Sequence, residues 1–250
     1  MYDKPYDRKF GIEFEFLLRS IRENGYDSRG TTFRKLLEKN GLGDFNIGFD
    51  GSEWEVKTPV LAGPNGFKRV KKFLALMKDM GARVQLDHDG LHVHHDAPEF
   101  IGNSEAVVRL VENWYNNQES IMEMVNYIRN RNWACPIWAQ GDVSTLKQRV
   151  AEFGYEGAMS YFGRKNLNIS ALQRHGTIEI RLHEGTLNYE EVLAWVRFGQ
   201  SFIAKALDET DSLGHNSPVE LLRKINVTRN ASRFITNKVG RNDYSVVSYA

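Results

Sequence analysis

The feature that most constrains this chain is a strict alternation of acidic and apolar residues near its beginning. Residues 10–18 read FGIEFEFLL, so Glu13 and Glu15 fall on one side of an extended strand, and Ile12, Phe14 and Phe16 fall on the other. A single strand of this kind is typical of a half-exposed sheet with solvated glutamates. The pattern gains weight because it is repeated elsewhere in the chain.

The same period of two residues recurs in three further extended stretches. Glu53 and Glu55 share one face of the second stretch, and His92 and His94 share one face of the third. In the fourth, four polar residues oppose apolar neighbours; they are Thr177, Glu179, Arg181 and His183. If the four stretches lie in one sheet, their polar faces converge on a single cavity while their apolar faces pack on helices.

Helical periodicity fills the intervals between these strands. Helices are predicted over residues 32–39, 65–80, 104–128 and 144–153, from the Asn188 cap to Leu207, and over a short segment that begins at Ser217. Residues 82–86 and 167–183 are predicted to be extended. The sequence therefore predicts an α+β fold with one catalytic domain over residues 1–225, a helical insertion at about residues 98–165, and a polar, irregular tail over residues 226–250.

Composition excludes several classes of protein. The chain has 250 residues, a formal net charge of +1 and 41% apolar residues, as an ordinary soluble globular protein does. Nucleic acid is not expected as a partner, because nucleic-acid-binding domains usually carry a strong basic excess. The start of the chain lacks an apolar signal sequence, and no apolar run reaches the roughly 18 to 20 residues of a membrane span. With the single Cys135 no internal disulfide can form, so we expect a cytoplasmic protein without a membrane partner.

A cavity that collects several carboxylates needs positive charge, because like charges a few ångströms apart raise one another's pKa. Divalent metal ions supply that charge. A ligand set rich in oxygen, with one or two imidazoles, favours Mg²⁺ or Mn²⁺ over Zn²⁺. Arg181 among these acids is poorly explained by metal binding alone and fits a site that also holds phosphate oxygens.

Four groups of residues stand out as motifs, and in chain order they are Gly11–Phe16, Asp50–Ser52 with Glu55–Leu61, Asp89–His94, and Asn166–Asn168 with Gly176–Leu187. Together they resemble the motifs of the amidoligase family, within the wider glutamine synthetase and glutamate–cysteine ligase superfamily of carboxylate–amine ligases. The resemblance implies a curved, largely antiparallel sheet, or half-barrel, with helices on its convex face. It also implies a ligase that uses ATP and Mg²⁺ or Mn²⁺ to phosphorylate a carboxylate, and then joins the acyl phosphate to an amine.

Roles for individual residues follow from the same resemblance. The implied metal ligands are Glu13, Glu15, Glu55, Glu179 and His92. His94 is implied to lie near the ATP phosphates, and Arg181 is implied to act with Glu179 in catalysis by steadying the transferred phosphoryl group. Arg174 is a candidate phosphate contact, and it fits equally well as a surface turn residue. Lys57 departs from the apolar or small residue that the family pattern favours, and we interpret it as a charge on an edge strand.

Two other functions stay open at the level of sequence. Converging acids and histidines also build divalent-metal-dependent hydrolases and phosphoesterases, which activate water and need no nucleotide. A non-catalytic nucleotide- or metal-binding protein would turn the same polar faces toward solvent or a partner. The substrates are not specified by the sequence: small-molecule, peptide and protein carboxylates and amines all fit, and the polar tail is compatible with a homo-oligomer.

Overall fold

The computed structural model describes residues 5–18, 31–50, 53–86, 88–125, 136–159, 165–208 and 212–239. The strands in these ranges are β1 (Phe10–Phe16), β2 (Asn46–Asp50), β3 (Glu53–Lys57), β4 (Gly90–Asp96), β5 (Leu167–Asn168) and β6 (Thr177–Glu184). The α-helices are α1 (Thr31–Lys39), α2 (Gly63–Asp79), α3 (Ser104–Glu123), α4 (Gln140–Met159), α5 (Ala171–His175), α6 (Tyr189–Lys205), α7 (Pro218–Lys224) and α8 (Arg229–Val239). Two short 3₁₀ turns lie at Pro5–Asp7 and Pro98–Phe100.

The strands form one open, curved sheet in the order β2-β3-β1-β4-β6-β5, and every neighbouring pair is antiparallel. The register sets Glu15 opposite Glu55, Glu13 opposite His92, and His94 opposite Glu179. Helices pack against the sheet. The predicted α+β fold with a curved antiparallel sheet is therefore confirmed, and the register brings the polar faces of four strands side by side.

The apolar face of β1 packs on α2. The rings of Phe10 and Phe67 lie 4.8 Å apart between centroids, and those of Phe14 and Phe73 lie 5.1 Å apart. All four rings are buried, and each contributes about 2 kcal/mol relative to an exposed position. Because α2 covers this face of β1, the alternation leaves the glutamates of β1 on the opposite, concave face.

The stretch 167–183, predicted to be extended, is interrupted in the structure, so that prediction was wrong in its middle. Helix α5 stands between β5 and β6 and ends at Gly176, whose φ of 66° lies in the left-handed region that favours glycine. The alternation of apolar and polar residues breaks at Ala171 and Leu172 and resumes only at Thr177, so the sequence itself marks the interruption. Residues 82–86 form no strand either; Arg83 makes an isolated bridge to Leu17.

The polar end of the chain contains more regular structure than predicted. Residues 229–239 form α8, which packs on α6 and buries Ala231 and Ile235, so the prediction of an irregular segment was wrong there. The predicted helical insertion contains α3 and α4 in its described part, and the domain limits themselves stay a prediction. Among the helices of the described ranges, none combines the length and apolarity that a membrane crossing requires.

Candidate active site

The concave face of the sheet carries a cavity of about 350 Å³. Its lining includes all of the site residues predicted from the sequence, which are Glu13, Glu15, Glu55, His92, His94, Arg174, Glu179 and Arg181. Phe49, Lys57 and His175 also line it. The residues thus come together as the alternation predicts, whereas the roles assigned to them stay predictions.

Glu13 contacts both histidines of β4. One carboxylate oxygen, Oε2, is 3.4 Å from Nδ1 of His92, and the other, Oε1, is 3.5 Å from Nε2 of His94. Lys57 donates a hydrogen bond of 2.9 Å to Oε1. Burial raises the pKa of Glu13, but hydrogen bonds from His92, His94 and Lys57 outweigh it and hold the pKa well below its usual value. Glu13 is therefore a carboxylate throughout the physiological pH range.

Glu179 of β6 faces the same histidine from the other side. Its Oε1 is 3.7 Å from Nε2 of His94 and accepts a hydrogen bond from Arg181, while its Oε2 accepts one of 2.6 Å from Asn168 Nδ2. Burial raises the pKa of Glu179, but the charges of His94 and Arg181 outweigh this and lower it below the usual value. Asn168 was not among the predicted site residues, although it lies in a motif that carries the family resemblance.

The two imidazoles differ in their relation to the acids. His94 Nε2 lies with oxygens of Glu13 and Glu179 in a group whose atoms are all within 4.8 Å of one another, a spacing at which three ligands can share one cation. His92 instead bridges two glutamates of β1, since its Nε2 is 3.6 Å from Oε1 of Glu15. The sequence favours His92 as the imidazole ligand, whereas the distances favour His94.

Lys57 has a larger part in the site than its sequence position indicated. Strand β3 lies inside the sheet between β2 and β1, so the interpretation of Lys57 as an edge-strand charge was wrong. Its Nζ is 2.9 Å from Glu13 and 3.2 Å from Glu55. Burial lowers the pKa of Lys57, but the two carboxylates outweigh it and raise the pKa above its usual value. A half-buried lysine of the protein itself therefore lies between two of the predicted metal carboxylates.

His183 does not line the cavity, although the alternation of polar and apolar residues in β6 predicts that it lies on the same face as Glu179 and Arg181. Leu91 pairs with His183 whereas Val93 pairs with Ile180, so β6 contains one residue more than β4 over this interval. Such a β-bulge moves the following side chain to the other face of the sheet. The ring of His183 accordingly packs 4.9 Å from that of Trp195, on the helical side.

A second cavity of about 580 Å³ adjoins the first and shares Glu13, Lys57, His94 and His175 with it. It lies where β1 begins and β3 ends. Gly11 contributes to its wall, and a Cβ added there would meet nothing closer than Thr58 Oγ1 at 4.0 Å, so the wall has free space at this position. The polar face thus offers two connected spaces that meet at Glu13 and His94.

An open antiparallel sheet whose concave face gathers carboxylates, imidazoles and a guanidinium defines a class of α+β protein with a site suited to divalent cations and anionic ligands. The chain belongs to the amidoligase family: residues 38–203, more than half of its length, match the family model described as "Putative amidoligase enzyme". Membership confirms the resemblance and indicates a ligase. Strand β1 precedes the matched range, whereas β3, β4 and β6 lie inside it. A search of curated proteins found no match.

Proposed function

We propose that this chain is an ATP-dependent carboxylate–amine ligase that forms an amide or peptide-like bond through an acyl phosphate. The observation that carries the proposal is the convergence of four glutamates, two histidines and Arg181 on one concave cavity, in a chain of the amidoligase family. The substrates would be a carboxylate and an amine of a small molecule, a peptide or a protein.

The donor set fits Mg²⁺ or Mn²⁺. Four carboxylates share the cavity, and in the described part of the chain Lys57 pairs with Glu13 and Glu55 while Arg181 pairs with Glu179. Three cationic side chains, Lys57, Arg174 and Arg181, line the cavity beside these four carboxylates, and a divalent ion would add the positive charge that they leave unmatched. Glu13, Glu15, Glu55 and Glu179 would hold it through oxygen, with an imidazole from His92 or His94.

When bound, the metal ion would neutralise charge on the phosphoryl group of ATP. The cationic side chains of the cavity would position the phosphates: Arg181, held by its hydrogen bond to Glu179, presents its guanidinium beside the acids, and Arg174 lines the same space. His94 is fixed by a contact of 3.0 Å between its Nδ1 and Thr177 Oγ1, which leaves Nε2 directed at Glu13 and Glu179.

The reaction proceeds in two balanced steps. A carboxylate oxygen of the substrate attacks the γ-phosphorus, the bond from that phosphorus to the bridging oxygen breaks, and ADP leaves. The amine nitrogen then attacks the acyl carbon, phosphate leaves with the electrons of the broken carbon–oxygen bond, and the amine loses a proton to solvent. The two connected cavities support this sequence, since one can hold the nucleotide while the other admits the second substrate.

Hydroxylamine provides a direct test, because it captures acyl phosphates whatever the natural amine is. Purified protein would be incubated with Mg²⁺, ATP, hydroxylamine and a panel of amino acids, dipeptides and dicarboxylates, with ADP and hydroxamate measured together. The expected result is equal formation of ADP and hydroxamate with at least one carboxylate. The variant Glu179→Gln, which keeps the shape of the side chain and removes its charge, is expected to lower the rate about 100-fold or more, the usual scale for loss of one transition-state contact.

Two outcomes would contradict this function. Cleavage of a phosphoester without ATP would identify a metal-dependent hydrolase instead. No ADP formation with any carboxylate, together with unchanged affinity for Mg²⁺ and ATP in Glu179→Gln, would indicate a non-catalytic protein whose polar face serves another purpose. An unchanged melting temperature in the variant would show that the loss of rate does not come from unfolding.

A further inference from the structure

A second group of potential metal ligands lies where β3 and β4 begin. It consists of Glu53, His88 and Asp89, whose ligand atoms all lie within 4.8 Å of one another. Oε2 of Glu53 is 2.7 Å from Nδ1 of His88, and the same nitrogen is 3.8 Å from Oδ1 of Asp89. We call this group the Glu53–His88–Asp89 cluster; none of its members lines the cavity of the candidate active site.

Asp89 is held rigidly, and one of its oxygens is directed at the cluster. The side chain is fully buried, its Oδ2 accepts a hydrogen bond of 2.7 Å from the Gln85 amide, and its carbonyl accepts one of 2.7 Å from Gly185. A Cβ on Gly185 would lie only 2.7 Å from that of Asp89, so glycine is required for this close approach. Oδ1 is also buried, and among the described residues no hydrogen-bond donor meets it.

Two carboxyl groups buried together need a positive partner. Glu53 and Asp89 are both almost completely buried, and burying two adjacent negative charges is costly unless a proton or a cation lies between them. His88 completes the third side, with 63% of its side chain exposed, so the cluster is open to solvent there. An ion from solution can therefore reach the two carboxylates past the imidazole.

We propose that the Glu53–His88–Asp89 cluster binds a divalent cation of the Mn²⁺ or Zn²⁺ type, separate from the ions of the candidate active site. Metal bonds of ~2.0 to 2.2 Å place neighbouring ligands roughly 3 to 3.5 Å apart. The observed separations of 2.7 and 3.8 Å fall on either side of that value, so small side-chain rotations suffice. An imidazole with two carboxylates favours Mn²⁺ or Zn²⁺ over Mg²⁺, which prefers oxygen ligands alone.

The cation would position a residue of the active site as well as neutralise the cluster. Gly90, the residue after Asp89, donates its amide to Oε2 of Glu15 at 2.5 Å, and the other oxygen of Glu15 is 3.6 Å from His92. An ion that fixes Asp89 therefore also fixes the amide that orients Glu15.

The test counts ions without ATP or any substrate, so its result is independent of the proposed ligase activity. Protein stripped with a chelator would be titrated with Zn²⁺ and with Mn²⁺, and bound metal measured by elemental analysis and by the Mn²⁺ spin-resonance signal. His88→Ala and Asp89→Asn are each expected to bind one ion per chain fewer or at least tenfold more weakly. Glu179→Gln is expected to retain this ion, and His215→Ala, which removes another exposed histidine, is the matched control.

An unchanged ion count and affinity in His88→Ala would overturn the proposal, because the imidazole is one of the three ligands. If the ion count and affinity were unchanged in both His88→Ala and Asp89→Asn, the charge between the two carboxyl groups would be a proton and not a metal ion. His88 is exposed, so its removal is not expected to unfold the protein, and this variant decides the question even if Asp89→Asn folds poorly.

Discussion

Two clusters of similar composition lie on opposite sides of the sheet. The concave cluster consists of Glu13, Glu55, His94 and Glu179 with Lys57, and it borders two cavities. The helical-side cluster consists of His183, Glu184 and Glu191 with Lys238, whose ammonium group bonds both carboxylates. Each cluster thus combines histidine, glutamates and one lysine.

The clusters differ in how completely the protein itself satisfies them. On the helical side, Glu191 also accepts a hydrogen bond of 2.6 Å from Thr186, and His183 is buried against Trp195. Burial lowers the pKa of His183, and Lys238 brings a positive charge to both carboxylates. On the concave side, the acids border open space and the side chain of Lys57 is 40% exposed. The comparison teaches that the same residue types bond one another in an enclosed cluster, whereas in a cluster that borders open space they stay accessible to a ligand.

The largest effect is expected from Lys238→Met. Removing the ammonium group leaves the buried Glu184 and the mostly buried Glu191 as neighbouring carboxylates without their cation, which should lower the free energy of unfolding by about 3 to 5 kcal/mol. Denaturation by urea measures this. Lys238→Arg keeps the charge and should retain most of the stability.

Added metal ions test whether the helical-side cluster is closed to ligands. If added Mn²⁺ restored the stability of Lys238→Met, the helical-side cluster would be an accessible ligand site after all. Unchanged stability in the variant would show that the ion pairs do not hold α8 to the sheet.

A smaller effect, about tenfold in affinity or 1.4 kcal/mol, is expected from Lys57→Met. The ammonium group lies between Glu13 and Glu55, so it competes with any divalent ion for their oxygens. Its removal should therefore tighten binding of Mn²⁺ in a calorimetric titration. Lys57→Arg, which keeps a positive charge at this position, should bind Mn²⁺ as the parent chain does; weaker binding in Lys57→Met would mean that the lysine supports the metal site.

The position of Lys57 shows what sequence could and could not predict. Alternation is local, so the polar faces of β1, β3 and β4 were readable directly from residues such as Glu13, Glu55 and His94. That Lys57 shares a face with Glu55 is equally local, but its contact with Glu13 depends on the order of the strands, which is a long-range property. The same limit applies to Asp89, which meets Glu53 only through tertiary packing.

His183 shows a second limit. A β-bulge adds one residue to a strand without disturbing the alternation of residue types, so the sequence of β6 looks continuous through the point where its faces exchange. Asn168 illustrates a third: its residue type and motif were visible, but its hydrogen bond to Glu179 depends on the pairing of β5 with β6.

The smallest effect concerns the pH dependence of stability. Burial raises the pKa of Glu191, but the charges of His183 and Lys238 outweigh it and lower the pKa below its usual value. A group whose pKa is lowered by folding stabilises the protein above its unfolded pKa, about 4.3 for glutamate, and loses this contribution as the pH falls through its folded pKa. The groups that face it are His183, Lys238 and Thr186, with Glu184 sharing the same lysine.

The variant Glu191→Gln isolates this contribution. Its free energy of unfolding should fall below that of the parent chain by about 1 kcal/mol near pH 7, and the difference should shrink as the pH drops below about 4. Urea titrations at several pH values measure the difference, with Glu190→Gln, an exposed neighbour in α6, as the control that should leave the curve unchanged. A difference that stayed constant down to pH 3 would mean that Glu191 contributes through its hydrogen bond with Thr186, which glutamine can keep in part, rather than through its charge. The electrostatic stability of the helical-side cluster would then come from the pair of Lys238 and Glu184 alone. The difference from the concave cluster would rest on that single ion pair.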